Sequence, residues 1–349
     1  MKNDQQQHVG EGATAIQGAG DVSVVIQQGL GYADVKQIAL EVFRANLMEM
    51  KGRAVEKARI RGEEITERFV RRLESEHPAG LQQAEEPDFQ DAVFSVQKEY
   101  AKAGDEELGD LLVNLLVDRT KESSRNLIQL VLNESLRVAP KLTNDQLALL
   151  SLVFLLRHVN ANPNTVESLV AFLKINLEPL IAGAQNGVSS VSYLGYTGCG
   201  IHSSLSGMGL EAVILGEYRG LLGKGIDAER VNAIVPPNLL GLFRPGTNDA
   251  TKLELAVPNE TVLKKVLDAA AVEPEMRVQL QNLFAENPLA APEVRTWVIE
   301  KAPFMDAVFN LWVDDVKRFT LTSVGMAIAH ANIRRVTGQA FAPLSIWVK

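Results

Sequence analysis

The stretch LTNDQLALLSLVFLLRHV, residues 142–159, combines a helix-start signal with a long apolar run. Thr143 is followed three residues later by Gln146, which is the spacing of a capping box at the start of a helix. The apolar run 147–156 that follows has the length of a buried helix and is too short for a membrane span. The sequence therefore predicts a buried helix that begins after Thr143.

Helical periodicity recurs on both sides of this stretch. Further helices are predicted at 88–102, 105–122, 126–138, 163–180, from 210 to Gly223 or Gly225, after a cap at Asp227, and at 259–272, 274–286, 292–312 and 323–338. A short strand at 317–321 and a terminal strand at 344–348 flank the last of them. The sequence thus predicts a mainly α fold, with a multi-helix body and a small C-terminal strand-helix-strand unit that is winged-helix-like.

The N-terminal segment GATAIQGAGDVSVVIQQG, residues 12–29, has a different pattern. Apolar side chains alternate with other residues, which is typical of a β-strand with one buried face; they are Ile16, Val22, Val24 and Ile26. An isolated strand of this size is marginal in water, and its unpaired edges are a template for other copies. The pattern predicts a short β segment through which several chains form a homo-oligomer.

An amphipathic helix is predicted to follow, with Asp34 near its start and Val35, Ile38 and Val42 on its apolar face. These three residues are assigned to the same oligomerisation hub. Interleaved acids and bases predict that the helix continues, with a solvated face, to about Glu76.

These patterns divide the chain into five parts. They are an oligomerisation segment at 1–31, a long charged helix at 32–76, a linker at 77–87, a helical core at 88–235 and a C-terminal helical and α/β unit at 236–349. The core includes the segment 179–210, which contains no Asp, Glu, Lys or Arg. This uncharged segment is interpreted as a buried or interface-packed part of the core or, alternatively, as a membrane-active part.

Composition limits the classes of function. The formal net charge is −8, which argues against electrostatic wrapping of nucleic acid by the whole chain. Cys199 is the single cysteine, so no intramolecular disulfide can form, and a reducing compartment is expected. The first residues contain no apolar signal region, so we expect a cytoplasmic protein.

No catalytic, cofactor-binding or metal-binding residue can be nominated from motifs. Cys199 and His202 have C-x-x-H spacing, but a structural zinc site needs about four ligands. Cys199 is therefore interpreted as a small packed residue. The glycine-rich stretches lack the spacing of nucleotide loops, so neither a cofactor nor a small-molecule ligand is expected.

Two stretches resemble a known family. DEELGDLLVNLLVDRTKE (105–122) with SLRVAPKLTNDQLALLSLVF (135–154) is similar to the helical core of the abortive-infection alpha family and related uncharacterised bacterial proteins, and RFTLTSVGMAIAHAN (318–332) resembles a segment that follows in such chains. YADVKQIALEVFRANL (32–47) resembles the start of a bacterial family of unknown function. The resemblance implies a bacterial cytosolic protein connected with phage defence, and it carries over no catalytic residue.

Three hypotheses of function follow. The leading one is a non-enzymatic, self-assembling protein of bacterial phage defence or stress response. The second is an effector that acts on membranes through the uncharged segment. The third is a DNA-binding regulator that uses the C-terminal unit, where Arg334 and Arg335 end the last long helix.

Overall fold

The computed structural model describes residues 31–46, 52–204, 207–339 and 341–349. The α-helices in these residues are α1 (Tyr32–Asn46), α2 (Arg53–Glu76), α3 (Pro87–Ala103), α4 (Glu106–Thr120), α5 (Leu127–Val138), α6 (Asn144–His158), α7 (Val166–Asn176), α8 (Ile181–Gly187), α9 (Val191–Tyr196), α10 (Leu210–Tyr218), α11 (Ala228–Ile234), α12 (Glu260–Ala269), α13 (Pro274–Ala285), α14 (Ala291–Lys301), α15 (Met305–Leu311), α16 (Asp314–Lys317) and α17 (Ser323–Thr337). The predicted mainly helical class is confirmed.

Strands are few and short among the described residues. β1 (Gly200–His202) pairs antiparallel with β4 (Phe319–Leu321), and β2 (Phe243–Pro245) pairs antiparallel with β3 (Leu253–Leu255). Short 3-10 segments lie at Pro78–Glu85, Ala139–Lys141, Glu178–Leu180, Val188–Ser190, Arg219–Leu221, Pro237–Leu242 and Leu344–Ile346. The strands join distant parts of the chain, because β1 lies in the uncharged segment and β4 precedes the last long helix.

The main hydrophobic core forms around α6 and α17. The capping box of Thr143 and Gln146 is present, and every residue of α6 from Gln146 to Leu156 is buried. α6 packs against α8 on one side and α17 on another, and α17 also contacts α4 and α5. The buried helix predicted after Thr143 is therefore confirmed as the centre of the main core.

A second, smaller core lies in the middle of the chain. Its buried residues run from Ile226 to Leu283 and come from α11, β3, α12, α13 and the loops between them. Buried residues from Val294 to Val348 return to the main core. The boundary predicted at residue 235 falls inside the second core, because Val231 and Val235 pack with residues that follow it.

The long charged helix predicted over 32–76 is wrong, because the segment forms two helices. α2 begins after Gly52, whose φ of 63° is outside the helical region. α1 lies antiparallel to α2, since Tyr32 donates a hydrogen bond to Glu67 near one end of the pair (2.6 Å) and Arg44 contacts Glu63 nearer the other (3.1 Å). The apolar stripe of α1 therefore packs on its own chain.

The linker predicted at 77–87 is wrong as well. Residues Pro78–Glu85 form a 3-10 segment that packs against α1, α2, α3 and α4. Gly80 and Ala84 are buried there. Gln83 donates a hydrogen bond to the carbonyl of Thr120 (2.6 Å), which ties the segment to the end of α4. Tertiary contacts therefore order this segment.

The C-terminal unit differs in part from its prediction. The strand before α17 is present as β4, but its partner is β1 rather than the chain terminus. The terminal strand expected at 344–348 is instead a 3-10 segment at Leu344–Ile346, which is followed by the buried Val348. α17 ends at Gly338, which has a φ of 66°.

Candidate functional site

The residues predicted to form an oligomerisation hub fall into two groups. Ile16, Val22, Val24 and Ile26 lie outside the described residues. Of the helical group, Val35 is 2 % exposed and belongs to the main core, which is a role in its own chain rather than between chains. Ile38 and Val42 are half-buried and line a shallow apolar depression with Ala84, Phe89 and Val93.

The uncharged segment presents a more exposed set of apolar side chains. Tyr193 and Tyr196 on α9 are 41 % and 86 % exposed, and Ile201 on β1 is 63 % exposed. The two tyrosine rings lie 6.0 Å apart. Ile201 pairs with Thr320 of β4, and directly opposite residues share one face of a ladder. We call Tyr193, Tyr196, Ile201 and Thr320 the tyrosine surface.

A Schellman motif joins α9 to β1 and orders this surface. The N–H of Cys199 donates to the carbonyl of Leu194 (2.9 Å), and the N–H of Gly198 donates to the carbonyl of Gly195 (3.0 Å). Gly198 has a φ of 78°, the left-handed conformation that such a helix end requires and that glycine adopts without strain. Leu194 and Cys199 are both fully buried, and they occupy the two positions whose apolar contact usually accompanies a Schellman motif.

Hydrogen bonds from Thr322, the N-cap of α17, hold the Schellman motif in place. The Thr322 hydroxyl donates to the carbonyl of Gly198 (2.5 Å), and its N–H donates to the carbonyl of Cys199 (3.1 Å). Gly325 lies so close to that Cys199 carbonyl that a Cβ there would fall far inside the 3.0 Å limit of real contacts. The tyrosine surface is thus held on a rigid base that reaches the main core.

Cys199 and His202 do not form a site together. The Cys199 thiol is buried, and burial raises its pKa, which opposes formation of a thiolate nucleophile. Its sulfur accepts a hydrogen bond from Thr197 (3.5 Å), while the exposed His202 ring lies against Phe319 at 5.5 Å. The interpretation of Cys199 as a small packed residue is confirmed. Nowhere in the described ranges do three His, Cys, Asp or Glu residues come together as a possible metal site.

The C-terminal unit offers little for reading DNA. α17 is buried over most of its length, since Gly325 and every residue from Ala327 to Ile333 are buried. Arg334 contacts Asp118 through hydrogen bonds of 2.9 and 3.0 Å, and Arg335 pairs with Glu107 at 2.9 Å. Both guanidinium groups therefore hold α17 against the rest of the chain, and the helix cannot enter a major groove as it stands.

The membrane hypothesis concerns the uncharged segment. None of the helices in the described ranges is long and apolar enough to span a bilayer. Within this segment, α8 packs closely on α6. Gly187 lies so near the backbone carbonyl of Asp145 that a Cβ on residue 187 would clash with its oxygen. The glycines of the segment thus allow close helix packing.

A polar cavity of about 1140 Å³ lies between the 3-10 segment at 78–85 and α5. Arg119, only 2 % exposed, lies at its base and donates to Asn133 (2.9 Å), Gln83 (3.1 Å) and Asp88. Partial burial would raise the pKa of Asp88, but the hydrogen bonds from Arg119 and Asn133 outweigh it and the pKa is lowered. Because these hydrogen bonds engage its guanidinium group, Arg119 holds together the 3-10 segment at 78–85, α3 and α5.

Sequence reasoning missed the exposed members of the tyrosine surface. The uncharged segment itself was recognised, and SYLGYTG within it combines Tyr, Ser and Gly, the residues that are enriched in binding loops. That composition was a usable signal for an exposed contact surface, whereas exposure itself depends on tertiary packing.

Comparison with known proteins places the chain in a family without assigning an activity. The chain belongs to an uncharacterised family, whose model matches residues 29–348 and whose description (":-like") names no activity or ligand. No curated protein and no solved structure matched. The family match begins just before α1 and covers both hydrophobic cores.

Proposed function

We propose that this member of an uncharacterised family is a non-enzymatic, self-assembling protein whose copies meet through the tyrosine surface. The observation that carries the proposal is the exposure of Tyr196, Ile201 and Tyr193 within a segment that has no charged residue. Tyrosine is enriched among the residues that dominate binding energies at protein interfaces, and charged residues are depleted in interface cores.

The uncharged character of the tyrosine surface makes it the place where two copies of the chain repel each other least. Each copy carries a formal net charge of −8, so two copies repel one another over most approaches. Contact through the tyrosine surface joins two neutral patches, where this repulsion is smallest. A two-fold contact uses the same patch on both copies, which lets Tyr196 of each copy pack on Ile201 of the other.

The predicted N-terminal hub supplies a second, independent contact in this proposal. Residues 1–31 then join copies through Val22, Val24 and Ile26, while the tyrosine surface joins them through the folded body. Two contacts of this kind on one chain give larger assemblies than either contact alone.

The test is light-scattering mass after size exclusion across a range of protein concentrations. We expect an oligomer for the full chain and at least a tenfold weaker association for Tyr196→Ser combined with Ile201→Ser. The matched control is Val278→Ser on α13, which removes an apolar side chain of similar exposure (56 %) far along the chain. A monomeric full chain, or a double variant that associates as well as the control, contradicts the proposal.

A chain lacking residues 1–31 separates the two contacts. If only the truncation lowers the mass, the N-terminal hub is responsible and the tyrosine surface is not. If only the double variant lowers the mass, the tyrosine surface is responsible and the N-terminal hub is not.

The resemblance to the abortive-infection alpha family supports phage defence as the setting of this assembly. Cells that express the full chain with its native neighbouring genes are then expected to plate phage less efficiently than cells without it. The double variant should restore plating, and the Val278→Ser control should not. Equal plating in all strains contradicts a defence role and leaves self-assembly to be judged by mass.

A further inference from the structure

The polar cavity between the 3-10 segment at 78–85 and α5 shares no residue with the tyrosine surface. Its volume of about 1140 Å³ exceeds the range of about 300–1,000 Å³ that is common for small-molecule sites. Among the described residues that line it, only Ala79 and Leu130 are apolar, so an apolar ligand would gain little from burial there. The cavity is therefore suited to a sizeable polar ligand.

The charges around the cavity disfavour an ionic ligand. Four arginine or lysine side chains and four carboxylates line it, so their formal charges cancel. Arg125 at the end of the cavity nearest the start of α5 and Glu134 further along α5 form no ion pair with any described residue. An ion of either sign meets both attracting and repelling groups here, and it loses its hydration without gaining a net countercharge.

Hydrogen-bond donors and acceptors lie side by side at the base of the cavity. Arg119 donates to the carboxylate of Asp88, and the amide of Asn133 donates to its Oδ1 at 3.2 Å and to its Oδ2 at 3.4 Å. These bonds fix the carboxylate, whose side chain is still 56 % exposed and lines the cavity. Gln129 lies one helical turn before Asn133 on the same face of α5, which places their Cβ atoms about 5–6 Å apart.

Gln129 is the member of this group that has no partner in the protein. It is only 9 % exposed and lines the cavity, yet its side-chain amide forms no hydrogen bond with any described residue. Its amide atoms are not among the unpaired atoms that the described residues seal from solvent, so they remain open to the cavity. Gln146, at the same position in α6, instead accepts a hydrogen bond from the backbone of its N-cap (3.0 Å). Since deeply placed polar groups are nearly always paired, the partner of Gln129 comes from the contents of the cavity.

We propose that this cavity binds an uncharged saccharide. A hydroxyl group both donates and accepts hydrogen bonds, so two adjacent hydroxyls on a sugar ring match a carboxylate beside an amide. One hydroxyl donates to the carboxylate of Asp88, and its neighbour accepts from the amide N–H₂ of Gln129. A planar aromatic ligand is a poorer match, because the imidazole of His77 is the one ring among the described lining residues.

The unmodified full chain tests this class of ligand on an array of immobilised glycans. Neutral oligosaccharides stand on the array beside their sialylated, sulfated and amino-sugar counterparts, together with short zwitterionic peptides. We expect binding to at least one neutral oligosaccharide and at least tenfold weaker binding to its charged counterparts. No binding to any glycan, equal binding of the charged counterparts, or binding of the peptides alone overturns the proposal.

Gln129→Leu locates the binding, measured by titration calorimetry with the neutral oligosaccharide that binds most strongly. This change removes an amide that no described residue pairs with, so the urea midpoint should not fall, whereas the affinity should fall at least tenfold. The matched control is Gln281→Leu, at a half-buried glutamine on α13 that does not line the cavity, and it should leave the affinity unchanged. Equal affinities of the two variants overturn the assignment to this cavity. A crystal structure of the unmodified chain with the saccharide bound elsewhere overturns it as well, and this result does not depend on any variant.

Discussion

Gly325→Ala is expected to destabilise the main core, although alanine is the better helix former. In an exposed helix this change stabilises by about 1 kcal/mol. At Gly325 the added Cβ meets the backbone carbonyl of Cys199, and a backbone cannot rotate away as the end of a flexible side chain can. α17 or β1 must therefore move.

The magnitude follows from what the movement disturbs. Forcing an extra carbon into a packed core costs about 1–3 kcal/mol. Separating α17 from β1 also weakens the two hydrogen bonds of Thr322 to Gly198 and Cys199, each worth about 1 kcal/mol. After subtraction of the helix-propensity gain of about 1 kcal/mol, the expected net loss is about 2–4 kcal/mol.

Urea unfolding followed by tryptophan fluorescence measures this loss. All three tryptophans belong to the main core or pack against it, so fluorescence reports on that core rather than on the second one. The matched control is Gly216→Ala in α10, an exposed helical position where a Cβ meets nothing within 4 Å. We expect the control to raise the urea midpoint and Gly325→Ala to lower it. If Gly325→Ala unfolds at the same urea concentration as the control, the close contact between α17 and Cys199 is refuted.

Three further predictions concern a helix cap, a buried histidine and the ion pair of the buried Arg119. Thr143→Ala removes half of the capping box of α6 and should lower the free energy of unfolding by about 1 kcal/mol, measured by urea unfolding. Burial lowers the pKa of His330 from 6.5, so below about pH 6.5 the unfolded chain binds a proton more readily than the folded chain. The free energy of unfolding should therefore fall as pH drops below about 6.5, and His330→Gln should flatten this dependence between pH 6.5 and 5. An unchanged slope in thermal melts would contradict the prediction. Asp88→Ala leaves the buried Arg119 without its anion, but Asp88 is itself 56 % exposed, so solvent screening limits the expected cost to about 2 kcal/mol. Asp91→Ala breaks an ion pair exposed on both sides and should cost less than about 1 kcal/mol. Equal unfolding midpoints for these two variants would show that Arg119 does not depend on Asp88.

Local signals were sufficient for the parts of the fold that depend on neighbouring residues. The capping box at Thr143 and the end of α17 at Gly338 both lie where the sequence predicts them. Each of these features is decided within one or two helical turns, because the cap and the groups it satisfies are three or four residues apart. The mainly helical class follows from the same short-range pattern.

Local signals failed where distant residues decide the structure. The charge pattern of residues 32–76 does not reveal that α1 packs back on α2. Residues 77–87 are predicted as a linker, although contacts with four helices order Pro78–Glu85. The tyrosine surface also depends on distant residues. Cys199 is far from Gly325 in the chain, so the base of this surface is not visible as a motif.

Residue type and near neighbours account for the mainly helical class, for the capping box at Thr143 and for the uncharged character of residues 179–210. Which of those uncharged residues are buried and which are exposed depends on tertiary packing. Tyr196 and Cys199 lie three positions apart with similarly neutral surroundings, yet one is 86 % exposed and the other fully buried. The difference arises because the Schellman motif turns the chain between them, and α17 and β4 cover only one side of that turn.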